Sequence, residues 1–157
     1  INDVSYNFTP HNFTASKTGF AANSTNFSVN APFQTFSLVL AQADNTSPVI
    51  SNVSATPNPV RRGQYITIKT KVTDDSGVNK SNVLAHFQKI DEKDALLLKL
   101  YDDGTHGDSY KNDDFYTNKY LVSANAPLGN YYLDVTASDI NGNQAEAENA
   151  VIITVTS

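Results

Sequence analysis

Apolar and polar residues alternate with period two over short stretches of this chain, the signature of half-buried β-strands, and no stretch carries the three-to-four spacing of an amphipathic helix. Tyr65 to Thr73 (YITIKTKVT) is the clearest case, with Ile66, Ile68 and Val72 on one face and Thr67, Lys69 and Lys71 on the other. Val49 to Thr56 reads as a strand ended by Pro57-Asn58-Pro59, since proline removes a ladder donor. Val83 to Ile90 and Ala95 to Tyr101 form a pair joined by the charged turn Asp91-Glu92-Lys93-Asp94, and Tyr116 to Ser123, Asn130 to Ser138 and Ala147 to Thr156 follow. The pattern predicts seven strands, at the spacing of a sandwich rather than of βαβ units. Their inward positions are Val53, Ile66, Ile68, Val72, Val83, Ala85, Phe87, Leu98, Leu100, Leu121, Leu133, Val135, Val151, Ile153 and Val155. At roughly 1.5 to 3 kcal/mol for each fully buried large side chain, such a set opposes the chain entropy of one domain.

The strands begin only after Asp44 to Pro48 (DNTSP), a turn-rich run between a nearly uncharged segment and a more charged remainder. We therefore divide the chain into an N-terminal extension, 1–46, and a domain, 47–157. The extension holds Phe8, Phe13, Phe20, Phe27, Phe33 and Phe36, too many large apolar groups to stay in water uncovered. Within it Phe33 to Ala43 (FQTFSLVLAQA) is strand-like.

Composition narrows the functional classes. A net charge of −5 over 157 residues, with Arg61-Arg62 the only adjacent basic pair, argues against a nucleic-acid partner, which needs a clustered basic face. Cysteine is absent, so there is no disulfide framework, thiol nucleophile or cysteine zinc site. No run approaches the roughly 18 apolar residues of a membrane span, and a start without methionine is expected of a processed or excised exported segment. Asn-x-Ser/Thr sequons stand at Asn7, Asn12, Asn23, Asn26, Asn45, Asn52 and Asn79, five of the seven before residue 46. They are candidate glycosylation sites, although an Asn/Ser/Thr-rich segment also generates sequons by chance.

The densest chemistry is Asp102 to Asp114, where Asp102, Asp103, Asp108, Asp113 and Asp114 face one lysine, Lys111. Five like charges within thirteen residues repel unless a hard cation collects them, and Ca²⁺ takes six to eight oxygen ligands. Gly104 and Gly107 permit the positive-φ turns that wrap a backbone around an ion. The competing reading is a solvated acidic loop whose Asp and Gly only form turns. The ligand spacing is not that of an EF-hand.

From Ser47 onward the chain resembles a bacterial immunoglobulin-like domain of secreted and cell-surface proteins. SPVISNVSATPNPVRRGQYITIKTKVTDDSG, LYDDGTHGDSYKNDDFYT and APLGNYYLDVTASDINGN carry the likeness. It implies an all-β, Ig-like antiparallel β-sandwich of about seven strands behind an N-terminal extended, strand-like segment, in a protein outside the cell or on its surface. The acidic loop is similar to the family's Asp-Asp-Gly…Gly-Asp…Asp-Gly…Tyr motif: Asp103, Asp108 and Asp113 align with its aspartates, Asp102 with the leading one, and Asp114 replaces the usual glycine. Asp114 is thus either a ligand or a turn residue. APLGNYY is similar to a tyrosine corner, which makes Tyr131 a structural candidate unless it is merely packed between the sheets.

Strand alternation sends the turns at Asp74-Asp75-Ser76-Gly77 and Asp139-Ile140-Asn141-Gly142-Asn143 to the pole of the acidic loop. Asp74, Asp75, Asp139 and Asn141 are therefore a possible second metal or junction site, with ordinary hairpin chemistry as the alternative. Catalysis is not expected: glycoside hydrolysis needs one carboxyl held protonated in apolar surroundings, and His11, His86 and His106 lack zinc-ligand spacing. Three functions fit. One is a self-assembling surface filament subunit whose N-terminal strand completes a neighbour's sheet, so that the chain is a homo-oligomer. Another is an accessory or spacer module of a larger adhesin or secreted enzyme, meeting other surface proteins or glycans. The third is a carbohydrate-binding module using Tyr110, Phe115 and Tyr132.

Overall fold

A computed structural model describes residues 11–27, 37–89 and 96–157. The chain divides into two compact units, Ile1–Asp44 and Asn45–Ser157. In the first, β1 (His11–Ala15) pairs antiparallel with β2 (Asn23–Phe27), from His11 opposite Phe27 to Ala15 opposite Asn23. Gly19, at φ +80°, lies in the turn between them. The described part of the strand-like N-terminal segment, residues 11–27, is thus a β-hairpin. Residues 37–43 are not a strand, contributing an isolated bridge between Gln42 and Phe20. Asn12, Asn23 and Asn26 stand exposed on the hairpin, with Asn12 Nδ2 donating to Asn26 Oδ1 at 2.9 Å. Asn7, Phe8, Phe33, Phe36 and the Asp91 to Asp94 turn lie outside the described residues.

The second unit is an all-β sandwich of two sheets. Its strands are β3 (Val49–Thr56), β4 (Val60–Arg61), β5 (Tyr65–Thr73), β6 (Val78–Lys89), β7 (Leu96–Lys99), β8 (Phe115–Leu121), β9 (Gly129–Asp139) and β10 (Gln144–Thr156). One sheet has the order β3-β5-β8 and the other β4-β10-β9-β6-β7. Every pairing is antiparallel except that of β4 with β10. No helix occurs among the described residues. Two-residue β4, directly after Pro59, is an eighth strand that period-two patterning is too short-sighted to show.

Core positions follow from the alternation. Ile66, Ile68 and Val72 of β5 meet Val83, Ala85 and Phe87 of β6, Leu133 of β9, and Ile153 and Val155 of β10 in one buried cluster, and Val135 of β9 is buried as well. Val53, Leu98 and Val151 are partly buried against that cluster. Leu121 is a correction: it pairs with exposed Tyr65 on the outer face and is itself 48% exposed, while Tyr120 and Val122 pack inward. Tyr131 donates its hydroxyl hydrogen to the Pro127 carbonyl at 2.8 Å, tying the start of β9 to the preceding loop as a tyrosine corner does. Buried Thr70 donates to Ser51 O at 3.0 Å, and no buried side-chain nitrogen or oxygen among the described residues lacks a partner.

Candidate metal centre at the acidic pole

The register places the loop ends together. Val49 pairs with Thr73, Lys71 with Phe115 and Val78 with Asp139, so the β5–β6 turn, the long loop before β8 and the β9–β10 turn share one pole. Ile140 N donates to Gly77 O at 3.0 Å, and Thr46 Oγ1 to Asp75 Oδ1 at 2.8 Å.

The acidic loop is anchored at both ends. Leu100 is wholly buried, and Tyr101 exchanges two backbone hydrogen bonds with Thr117, so Asp102 leaves the core at a fixed place and is only 6% exposed. Asp113 N donates to Asp102 Oδ1 at 3.1 Å, joining the two ends. Asp108 sits between them, accepting Gly104 N at 2.9 Å on Oδ2 and Tyr110 N at 3.4 Å on Oδ1. Gly104 and Gly107 have φ of +75° and +95°, as a wrapped loop requires.

These anchors gather three of the five aspartates. Asp102, Asp108 and Asp113 each offer a carboxylate oxygen, all within 4.8 Å of one another. Asp103 stands apart, accepting Thr105 Oγ1 at 2.6 Å and Thr105 N at 2.8 Å, with the His106 ring 3.2 Å away. The Thr105 hydroxyl is the main cause holding the Asp103 carboxyl below its ordinary range; desolvation opposes it, and the Thr105 N–H and His106 add to it. Asp114 is also outside the group. Its φ is +67°, a left-handed turn conformation, and its carbonyl accepts Val72 N at 3.0 Å.

A basic residue that sequence reasoning passed over enters the group from β6. The β6–β9 register shifts between Val78 and Val83, a bulge that turns Lys80 toward the pole. Lys80 Nζ donates to Asp102 Oδ2 at 2.9 Å and to Asn112 Oδ1 at 2.7 Å. Nothing in the local pattern joins residues 22 apart. Tyr116 was likewise read only as a strand residue, yet its phenol is pushed up to about 12, by burial first and then by the Asp102 and Asp114 charges.

The residues of the smaller turns are used locally. Asp74 Oδ1 accepts Ser76 N, Ser76 Oγ and Gly77 N, and Asp139 accepts the N–H groups of Asn141 and Asn143, both at 2.8 Å. The two carboxylates therefore close their own turns. His86 Nε2 lies 2.9 Å from Thr136 Oγ1 on the outer face, and His106 stacks on Tyr101 with 4.1 Å between ring centres. Of the three aromatic candidates for sugar binding, Tyr110 is 73% exposed, Phe115 is half-covered by lysines and Tyr132 is half-buried.

Three carboxylates at these separations repel by about 3 to 4 kcal/mol per pair at an effective dielectric near 20. One ammonium against three carboxylates leaves a residual charge of −2 (−3 + 1). The donors are all oxygen, and two oxygens held by one Ca²⁺ lie at most about 5 Å apart, so the triad fits a hard divalent cation. No protein-family model and no curated protein matches this chain.

Proposed function

We propose that this chain is a non-catalytic, extracellular structural module: an immunoglobulin-like sandwich serving as a spacer or accessory domain, with a pole braced by a calcium ion on Asp102, Asp108 and Asp113. The convergence of those three carboxylates carries the reading, because their separation suits one hard ion and two of them guard the ends of the loop. Bound there, the ion neutralises the residual charge and ties the chain entering the loop to the chain leaving it. Backbone N–H groups already orient Asp102, Asp108 and Asp113. The spacer reading is favoured over a donated N-terminal arm by the β1–β2 hairpin, in which residues 11–15 already have a strand partner in residues 23–27 of the same chain.

Isothermal titration calorimetry tests the site. One calcium ion per chain is expected, lost in Asp108→Asn and Asp113→Asn, whose folds circular dichroism should show intact. Calcium binding that persists in both variants refutes the assignment.

A further inference from the structure

At the pole opposite the acidic loop the two sheets part. Their edge strands β7 and β8 are tied where Tyr101 and Thr117 exchange backbone bonds and where Asn118 Nδ2 donates to Lys99 O at 2.7 Å. Past Asn118, toward Val122, no hydrogen bond among the described residues joins the two edges. The gap is a half-open cavity of about 390 Å³, with Ile66 and Tyr120 from the three-stranded sheet and Phe87, Leu96, Tyr131 and Ile153 from the five-stranded one among its walls. These residues lie at the starts of β5, β7 and β9 and toward the ends of β6, β8 and β10, the opposite strand ends from those at the Asp102 group.

Protein interiors leave few voids larger than a water molecule, so a space of this size between two sheets departs from a filled core. Its walls are ring-lined and held in place. Phe87 and Tyr120 stack with ring centres 5.6 Å apart and 30° between planes, and the Tyr131 ring is fixed by the bond from its hydroxyl to Pro127 O. Polar groups stand at the rim, in the loop between β8 and β9. There Ser123 Oγ accepts Asn125 N at 3.2 Å, while the exposed Asn125 carboxamide has no hydrogen-bond partner among the described residues. No charged side chain among the described residues lines the cavity. Aromatic walls with a polar group at the mouth suit a flat, uncharged ring system. An engineered apolar cavity of about 150 Å³ takes benzene, so this one has room for a pair of fused rings.

We propose that this cavity binds an uncharged aromatic small molecule of the size of a fused ring pair bearing a hydroxyl group, its rings against Phe87, Tyr120 and Tyr131 and its hydroxyl on the Asn125 carboxamide. That carboxamide offers both a donor and an acceptor. The site goes beyond the spacer reading and does not involve the calcium triad.

Fluorescence titration of the full chain with 2-naphthol tests it, with naphthalene, 1-decanol and acetyl-Gly-Phe-Gly-amide as competitors. A single site per chain is expected, with naphthalene about fivefold weaker than 2-naphthol for want of the hydrogen bond. In Asn125→Ala that difference should vanish. In Ala126→Phe, which fills the cavity from its rim, 2-naphthol binding should fall by about tenfold or more while circular dichroism shows the fold intact. The Asn125 variant, a surface change, carries the test if Ala126→Phe does not fold. A wild type that does not bind 2-naphthol up to its solubility, unchanged binding in a folded Ala126→Phe, or a preference for 2-naphthol that survives in Asn125→Ala overturns the proposal. So does tighter binding of 1-decanol, which assigns the cavity to an acyl chain, or of the peptide, which makes it a socket for a partner's aromatic side chain.

Discussion

Lys80 Nζ lies 2.9 Å from Oδ2 of Asp102, a half-exposed ammonium on a carboxylate whose side chain is only 1% exposed. A tethered cation thus holds the edge of a group suited to a free one. Lys80→Met leaves the buried Asp102 charge without its partner, so we expect a loss of about 1 to 2 kcal/mol in chelator. Calcium should bind severalfold more tightly to the variant, because the competing charge is gone. Urea unfolding in chelator and calorimetric titration check the two halves separately.

Asp114 occupies the left-handed region, where an L side chain is strained and glycine is not. Asp114→Gly is expected to stabilise the sandwich by about 0.5 kcal/mol, the strain relief being partly offset by glycine's backbone entropy. Calcium affinity should stay within twofold of the wild type. A tenfold loss of affinity would make Asp114 a ligand.

Tyr116 supplies a pH dependence. Its phenol is pushed up to about 12 in the folded chain, against about 10 when unfolded. Below pH 10 both states are protonated and nothing changes. Between pH 10 and 12 the unfolded state releases a proton that the folded state keeps, so stability falls as pH rises. Absorbance titration of the phenolate should show a late step that is missing in Tyr116→Phe, whose stability should decline less over that window.

Much of the sandwich was legible because burial imposes a two-residue period. Val49–Thr56 and Tyr65–Thr73 have the bounds that turn residues and alternation predict. Leu121 was misplaced because Tyr120, Leu121 and Val122 are all apolar, and only the pairing of Leu121 with Tyr65 fixes the phase. The start of β6 at Val78 was missed, since Asn79 to Ser81 are polar and belong to a bulge. In the acidic loop the spacing pointed to the segment but not to which three of its carboxylates converge. That choice depends on the αL turn at Asp114, on the Thr105 bonds to Asp103 and on Lys80, which is local in space and distant in sequence.

The central claim, a calcium ion bracing the pole through Asp102, Asp108 and Asp113, is tested most directly by the melting temperature of the full chain in chelator and in millimolar calcium. At free calcium of about 100 times Kd the ion adds about 2.7 kcal/mol, which for a chain of this size is a rise of about 10 °C. That rise should vanish in Asp108→Asn. An unchanged melting temperature in the wild type would contradict the account and leave the loop a charged turn held by Lys80.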